Sequence, residues 1–286
     1  MNKVHIVTDS TADLPLELVD EYGITVIPLK VIFSGYEPLL DGVDIDTVQF
    51  YRRLVENREM SATSQPTPAE FAAAYSKLSA EGGKIISIHL SSTLSGTCQS
   101  ARMAKDMVPG VDIEVIDSKQ ASMGLGLVVL EAAAAARAGK SKAEILELIN
   151  ALLPKIQILF IVDSLDYLVR GGRIGKAQAF LGTILNIKPL LYLKEGIVNP
   201  YEKVRGKTRA IDRLVEIVEE TAGKHKIKCS LVHGNDPAGV EQLRQKITAK
   251  LDCDEPVVTG LGAVIGTHVG PGVLGIIFYV YDNQAG

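Results

Sequence analysis

The sequence predicts an α/β fold made of two packed units. Apolar runs alternate with helix-like stretches through the first half of the chain, which is typical of a mainly parallel sheet flanked by helices. The pattern changes after about residue 163. With 286 residues, of which 47% are hydrophobic, the chain is long enough for two ordinary domains. We therefore predict an N-terminal α/β unit at residues 1–163 and a smaller α/β unit at residues 164–286.

The elements of the first unit are predicted from hydrophobic periodicity. Short apolar runs indicate buried strands at residues 4–7, 25–29, 85–90, 113–116 and 158–162. The stretches between them have helical spacing and predict helices at residues 15–22, 47–57, 68–80, 97–107, 122–138 and 141–153. Asp46, Ser122 and Ser141 have short polar side chains that suit the N-caps of three of these helices.

The second unit begins with a predicted β-hairpin. Residues 188–193 and 197–203 flank Glu195 and Gly196, a pair suited to a tight turn. A helix at 208–222, a strand at 226–232, a helix at 237–251 and two closing strands, around residue 257 and at 275–281, complete the unit.

Composition argues against several classes of function. The net charge of -4 gives no global attraction to nucleic acid or to anionic lipid. The three cysteines, Cys98, Cys229 and Cys253, form no CxxC pair, so we expect no disulfide framework. We therefore expect the protein to be located in the reducing cytoplasm. The uncharged segment 256–281 is long enough to span a bilayer, but seven of its residues are Gly or Pro within 260–275. We interpret it as strand, glycine loop and strand, without stable membrane insertion.

Two hydroxyl-rich segments are the strongest functional signal. They are residues 61–68 (SATSQPTP) and residues 91–97 (SSTLSGT), and the second follows a predicted strand. Hydroxyl groups and the free amides of a following helix suit a carboxylate or phosphate. Residues 9–13 and 117–118 also follow predicted strands, so these turns gather at the carboxyl edge of a parallel sheet, where ligands usually bind. The alternative is that each turn only caps its helix.

Motifs for nucleotides and metals are incomplete. Residues 139–141 (GKS) end like a phosphate-binding loop, but Ala134 stands where the first glycine is required. Residues 124–126 lack the third glycine of a dinucleotide fingerprint, where Val129 stands, and residues 270–275 have its spacing but lead into a predicted strand near the chain end. The acidic cluster Asp41, Asp44 and Asp46 more often marks a loop and a helix cap than a metal site. We therefore expect no cofactor and no metal.

Histidine and arginine residues add candidates for an anion site. His5 and His89 lie within apolar strands and are interpreted as packed core residues, whereas His268 lies in the predicted glycine loop 266–272, where an imidazole can approach an anion. A purely structural His268 is the alternative. The basic loops 170–173 and 203–207, with Arg173 and Arg205, suit an acidic group or a partner, and solvated surface charge is the competing interpretation.

Six segments in order across nearly the whole chain resemble the DegV family of bacterial fatty-acid-binding proteins. They are VTDSTADLP, TSQPTPAEF, IHLSSTLSGT, LDYLVRGGRIGK, KPLL with VRGK, and GAVIGTHVGPG. The resemblance implies a two-domain α/β protein that encloses one long-chain fatty acid, such as palmitate or oleate, with the carboxyl group held where the domains meet. Some members of the family are the binding subunit of a fatty acid kinase, whose separate subunit binds ATP.

The resemblance also implies roles for single residues. Thr63 and Ser95 match the carboxylate-binding hydroxyls of the family, and His268 is expected beside the head group. Four further residues are candidates for the head group or for docking a partner: Ser64, Gly96, Arg173 and Arg205. The resulting hypothesis is a cytoplasmic, non-catalytic carrier that hands its fatty acid to an acyl-phosphorylating partner.

Two other classes of function stay open at this level. One is an acyl-transfer enzyme or ester hydrolase with Ser95 as nucleophile and His268 as base, although the sequence has no nucleophile elbow. The other is a nucleotide-binding regulator, which the incomplete phosphate motifs disfavour.

Overall fold

The computed structural model describes residues 3–182 and 186–281, which form an α/β fold. The strands in chain order are β1 (Val4–Asp9), β2 (Thr25–Ile27), β3 (Lys30–Phe33), β4 (Leu39–Leu40), β5 (Ser61–Ser64), β6 (Lys84–His89), β7 (Ile113–Asp117), β8 (Gln157–Ile161), β9 (Ile187–Lys194), β10 (Ile197–Arg205), β11 (Ile227–His233), β12 (Val257–Gly260) and β13 (Leu274–Val280). The α-helices are α1 (Leu16–Tyr22), α2 (Thr47–Val55), α3 (Pro68–Ala80), α4 (Thr97–Met107), α5 (Met123–Arg137), α6 (Lys142–Leu152), α7 (Asp166–Arg170), α8 (Lys207–Ala222), α9 (Pro237–Lys250) and α10 (Ala263–Val269). Short 3-10 helices lie at Ser10–Ala12, Leu153–Lys155 and Gly175–Phe180.

The first sheet is parallel, as predicted, with the strand order β2-β1-β6-β7. One face packs against α3 and α4 through residues such as Phe71 and Ala101, and the other face packs against α5. The strands end at a common edge, so the loops after β1, β6 and β7 lie together there.

Helix caps explain why several predicted helices have the observed bounds. Thr67 and Ser141 each form a capping box with the glutamate three residues later, and Asp46 accepts a hydrogen bond from the Gln49 amide. Ser122 stands at the N-cap of α5, as predicted, but its side chain does not cap the helix. The residue has φ of 51° and ψ of -144°, and its side chain makes no capping hydrogen bond.

The second sheet is mixed and has six strands in the order β10-β9-β8-β13-β11-β12. Its neighbours are antiparallel except for the parallel pair of β11 and β12. The prediction that β8 belongs to the parallel sheet is wrong, because β8 pairs antiparallel with β13 and β9. An apolar run indicates burial but not the sheet in which the strand is buried. The division of the chain at residue 163 stays a prediction.

A small third sheet, β4-β3-β5, has no counterpart among the predicted strands. Residues 61–64, predicted as part of a turn, form strand β5, in which Thr63 lies opposite Val31 of β3. The four side chains of β5 are Ser, Ala, Thr and Ser, so the strand lacks the apolar alternation from which strands are predicted.

The predicted glycine loop around His268 is also wrong, because His268 lies in helix α10. The turn follows the helix: Gly270 and Gly272 have φ of 76° and 80°, which a glycine adopts without strain. Ala263, Val264, Gly266 and Thr267 are buried, so tertiary packing forms a helix that intrinsic propensity does not favour.

Helix α5 lies between the two large sheets. Its residues 123–130 are all buried, and it belongs to a core cluster that includes Ile86 and Ile88 of the parallel sheet and Phe160 and Ile277 of the mixed sheet. A helix that is hydrophobic all round is expected in such a position. Across residues 3–182 and 186–281, no helix has both the length and the apolar character needed to cross a membrane.

Candidate functional site

A cavity of about 350 Å³ lies between the carboxyl edge of the parallel sheet and the mixed sheet. Most of its wall is apolar and comes from β8, β9, β13 and α10, with side chains such as Ile158, Phe160, Leu193 and Ile277. Its polar lining comes from other segments. These polar residues are Thr63, Ser64, Gln65, Ser95, Ser122, Arg173 and His268.

Most of the predicted site residues line this cavity. Six of the seven do so: Thr63, Ser64, Ser95, Gly96, Arg173 and His268. Arg205 is not among the lining residues and is exposed at the end of β10. The cavity therefore gathers side chains from distant sequence segments, while their roles as ligand contacts stay predictions.

Thr63 and His268 are hydrogen-bonded, with 2.9 Å between Thr63 Oγ1 and His268 Nε2. Burial, and then the positive charge of Arg173, lower the pKa of His268 to about 4, so its ring is neutral at neutral pH. Within the described residues, its buried Nδ1 has no hydrogen-bond partner. A proton on Nδ1 would bury an unsatisfied donor, so we infer that Nε2 carries the proton and donates it to Thr63 Oγ1. The Thr63 hydroxyl hydrogen is then available for a ligand.

Gly171 explains how His268 fits so closely against its neighbours. A Cβ at position 171 would stand 2.2 Å from His268 Nδ1, which no side chain can do without a shift. The absence of a side chain there lets the loop after α7 close over the ring.

Ser95 lies in the loop before α4 and interacts with that helix. Its Oγ accepts a hydrogen bond from the Thr97 amide at 3.3 Å and lies 2.9 Å from Thr97 Oγ1. The predicted nucleophile and base are therefore not hydrogen-bonded to each other, since the hydrogen-bond partner of His268 is Thr63. This geometry gives no support to the acyl-transfer alternative, in which His268 would take the proton of Ser95.

Arg173 joins the loop after α7 to the loop before α4. Its Nε donates to the Leu94 carbonyl at 3.1 Å, and one Nη donates to the Gly171 carbonyl. A guanidinium has five N–H donors, so these two bonds fix the group and leave others for a ligand. Arg173 thus supplies a fixed positive charge at the polar end of the cavity.

Two contacts of this site are not among those predicted from the sequence. Gln65 donates from Nε2 to Ser100 Oγ at 3.0 Å, and its Oε1 would lie 2.1 Å from a Cβ at Gly96, so a side chain at position 96 would displace the Gln65 amide. Gln65 is in the hydroxyl-rich segment 61–68, so that segment is the signal by which it could be found. The tip of the β9–β10 hairpin also reaches the loop after β6, and no sequence signal indicates this contact.

A buried chain of hydrogen bonds runs behind the loop after β6. Tyr75 donates to Ser87 Oγ at 2.8 Å, Ser87 Oγ lies 2.7 Å from His89 Nε2, and His89 Nδ1 lies 2.9 Å from Asp9 Oδ2. The order serine, histidine, aspartate resembles a hydrolase triad, but these three side chains are 0% exposed and do not line the cavity. We interpret the chain as structural, which confirms that His89 is a core residue; His5 is also buried.

The acidic cluster predicted as a loop and cap has that role. Asp44 accepts the Leu40 amide, and Asp46 caps α2. In the described part of the chain, no group of three or more His, Cys, Asp or Glu side chains could hold a metal ion.

Comparison with known proteins agrees with this architecture. The profile of the DegV family, described as an uncharacterised protein family, matches residues 3–280. Protein DegV from Bacillus subtilis is 36% identical over 275 residues, which cover 96% of this chain and 98% of that protein.

Solved structures have the same fold over nearly the whole chain. A DegV family protein from Thermus thermophilus, described as binding fatty acid, is 38% identical, has a TM-score of 0.92 and is matched over 98% of this chain and 100% of its own. A protein from Eubacterium ventriosum, described as binding stearic acid, is 28% identical with a TM-score of 0.85, over 98% of each chain. From its match to the family profile and to these relatives along their full length, the chain belongs to the DegV family.

Proposed function

We propose that this protein binds one long-chain fatty acid, such as palmitate or oleate, in the cavity. The observation that carries the proposal is the shape and polarity of that cavity, which has an extensive apolar wall and a cluster of hydroxyl, amide, imidazole and guanidinium groups. A volume of about 350 Å³ lies within the range of small-molecule sites. The fatty acids bound by the relatives from Thermus thermophilus and Eubacterium ventriosum support the same class of ligand.

The acyl chain would supply most of the binding energy. Each methylene group that leaves water contributes about 0.8 kcal/mol, so about ten methylenes against the apolar wall would contribute about 8 kcal/mol before the costs of association. The head group then mainly sets the orientation of the ligand.

The carboxylate would be held by Thr63 and Ser95, with Arg173 nearby. Because Thr63 accepts a hydrogen bond from neutral His268, its own hydroxyl hydrogen points away from the ring and is free to donate to a carboxylate oxygen. Ser64 and Gly96 flank the same position. A buried carboxylate needs such donors, since burial without them is costly.

We further propose that the protein presents this carboxylate, in the cytoplasm, to the ATP-binding subunit of a fatty acid kinase. Ser92 and Thr93, in the loop that carries Ser95, are exposed, and so is Gln65, whose side chain lies against Gly96 of the same loop. A phosphoryl donor could therefore approach the head group without entering the apolar part of the cavity. Arg205 is exposed and outside the cavity, which suits docking of a partner.

The ligand is tested by native mass spectrometry of the freshly purified protein, followed by organic extraction and by titration of emptied protein with oleate. One fatty acid per chain, and saturable binding of oleate, would support the proposal. Protein that is empty and does not bind oleate or palmitate would overturn it.

The presentation step is tested separately by adding an acyl-phosphorylating kinase subunit and ATP to the oleate-loaded protein. We expect acyl phosphate to form. Arg205→Ala should slow its formation while leaving the affinity for oleate unchanged, because Arg205 does not line the cavity. Equal rates of acyl phosphate formation for this variant and the wild-type protein would show that Arg205 is not part of the docking surface.

A further inference from the structure

Helix α10 forms part of the cavity wall, although its sequence is poorly suited to a helix. Its seven residues, AVIGTHV, include a glycine and four β-branched residues, which have low helix propensity. A helix of this length is not stable alone. It nevertheless contributes Val264, Ile265, His268 and Val269 to the cavity. The rest of the protein must therefore hold it in place.

The amides at the start of α10 are bound by two distant carboxylates. Gly262, the N-cap residue, has no side chain to cap the helix. Its own N–H donates to Asp13 Oδ1 at 2.9 Å, and the Ala263 N–H donates to Asp41 Oδ1 at 2.9 Å. These partners are 249 and 222 positions away in the sequence. Both aspartates are almost fully buried.

The surroundings of the two carboxylates contain acids and hydroxyl groups. Two other acidic side chains interact electrostatically with these carboxylates, Asp9 of β1 and Tyr51 of α2. Tyr167 of α7 in turn interacts with Tyr51. The nearby hydroxyls are those of Ser10 and Ser122. His233 faces Gly260 from β11, and burial lowers its pKa, so it supplies no charge at neutral pH. Among residues 3–182 and 186–281, neither Asp13 nor Asp41 has a cationic side chain within 4.0 Å.

Burial without a cation favours the neutral carboxylic acid. It raises the pKa of Asp13 to about 8, and it shifts the pKa of Asp41 in the same direction. At neutral pH Asp13 therefore holds a proton. Electrostatic repulsion from Asp41 and Asp9 acts on the pKa of Asp13 in the same direction as burial.

We propose that Asp13 and Asp41 are positioning residues for the fatty-acid site: by binding the first amides of α10, they set where His268 stands against Thr63. His268 follows Ala263 by five residues, which corresponds to about 7.5 Å along the helix axis. Release of the helix start therefore moves the imidazole and opens the wall formed by Val264 and Ile265. The proposal rests on the proposed function for its ligand, but the position of His268 can be measured without one.

The same arrangement couples ligand binding to proton binding. Loss of the Asp13 proton leaves a buried charge without a cation, and an ionised Asp13 favours arrangements in which it is hydrated. Such arrangements release the start of α10 and loosen the wall. The affinity for oleate should then fall above about pH 8, by up to about tenfold for each pH unit. Fatty acid carboxylates are ionised throughout this range, so the ligand itself does not cause the change.

The experiment compares the wild-type protein with Asp13→Asn, Asp13→Ala and Asp41→Ala by oleate titration calorimetry between about pH 6.5 and pH 9.5. Asparagine keeps an acceptor for the Gly262 amide and cannot ionise. We expect a pH-independent affinity for Asp13→Asn and weaker binding at every pH for both alanine variants. Ser141→Ala is the control, because it removes the side-chain cap of α6, a helix that does not line the cavity. It should bind oleate like the wild-type protein.

A second readout follows the ring nitrogens of His268 by NMR in the empty protein. The alanine variants should raise the pKa of His268 from about 4 toward its usual value, because the ring becomes hydrated. Ser141→Ala should leave it unchanged. Unaltered His268 signals in both alanine variants, or an equal pH dependence in Asp13→Asn and wild type, would overturn the proposal. A wild-type protein that binds no oleate would instead refute the proposed function, and the His268 signals would still decide the positioning role.

Discussion

Gly196, at the tip of the β9–β10 hairpin, lies directly against Ser91 in the loop after β6. A Cβ at position 196 would stand 1.8 Å from Ser91 Oγ and 3.2 Å from Thr93 Oγ1. The hairpin of the mixed sheet therefore touches the loop that carries Ser95, and a glycine at its tip permits that approach. Ser91 Oγ also accepts a hydrogen bond from the Thr93 amide at 3.2 Å, which fixes the start of the loop.

Gly196→Ala should destabilise the protein and weaken oleate binding. Gly196 has φ of 72°, so alanine is strained there by about 1–2 kcal/mol, and the contact with Ser91 adds a further cost. Gly139→Ala is the matched control, because Gly139 has φ of 80° and no atom lies within 4 Å of the place that its Cβ would take. Urea unfolding should show a larger decrease in the free energy of unfolding for Gly196→Ala than for Gly139→Ala. Only Gly196→Ala should have a lower affinity for oleate. Equal losses would show that the contact with Ser91 has no energetic role.

Thr63→Val should reduce the affinity for oleate by about ten- to a hundredfold, because a hydrogen bond to a charged group contributes about 1.5–3 kcal/mol. Valine keeps the shape of the side chain and removes the hydroxyl. Thr63→Ser keeps the hydroxyl and should bind within a few-fold of the wild-type protein. Calorimetry measures both. Unchanged binding by Thr63→Val would mean that the carboxylate lies elsewhere in the cavity.

Asp13→Asn should alter the pH dependence of stability as well as that of binding. The folded pKa of Asp13 is about 8 and its ordinary value is 3.8, so the folded state binds an additional proton between these values. The wild-type protein therefore loses stability as the pH rises from about 4 to about 8, by at most about 1.4 kcal/mol per pH unit from this group. The free energy of unfolding of Asp13→Asn, minus that of wild type, should grow between about pH 6.5 and pH 8. A constant difference would contradict the assignment.

His268→Gln should reveal the opposite dependence at lower pH. The pKa of His268 falls from 6.5 to about 4 on folding, so the unfolded state binds the additional proton between these values. The wild-type protein then loses stability as the pH falls from about 6.5 to about 4, and glutamine removes that contribution. Urea unfolding of both proteins across this range checks the prediction. Parallel stability curves would mean that His268 is not buried in its neutral form.

The elements that can be predicted well from the sequence are those with local signals. Helices α3 and α4 have the predicted bounds; in α3, Thr67 and Glu70 form a capping box around Pro68. The hydroxyl-rich segments do line the cavity. Strand β5 escapes prediction because its side chains are small and polar, and its pairing with β3 is a tertiary interaction.

The part of the site that cannot be predicted depends on contacts between distant segments. The sequence around His268 is rich in glycine and β-branched residues, and its helix depends on tertiary contacts, which include the burial of one face and the hydrogen bonds of Asp13 and Asp41 to its first amides. The spacing of residues identifies the segment with Asp13 as a turn at the sheet edge, but it does not identify its partner in α10. Long-range hydrogen bonds of this kind leave no periodic pattern in the chain.

The position of α5 between the two sheets limits how the protein can admit a ligand. Gly124 of this helix faces Ile158 of the mixed sheet, and Gly126 faces the Ala12 carbonyl beside the parallel sheet, each too closely for a side chain. A hinge-like opening that separates the two large sheets would expose this helix to water along its length, at a large hydrophobic cost. Entry of a long chain should therefore proceed through displacement of a small segment, such as the hairpin tip or α10, while the two large sheets stay packed against α5.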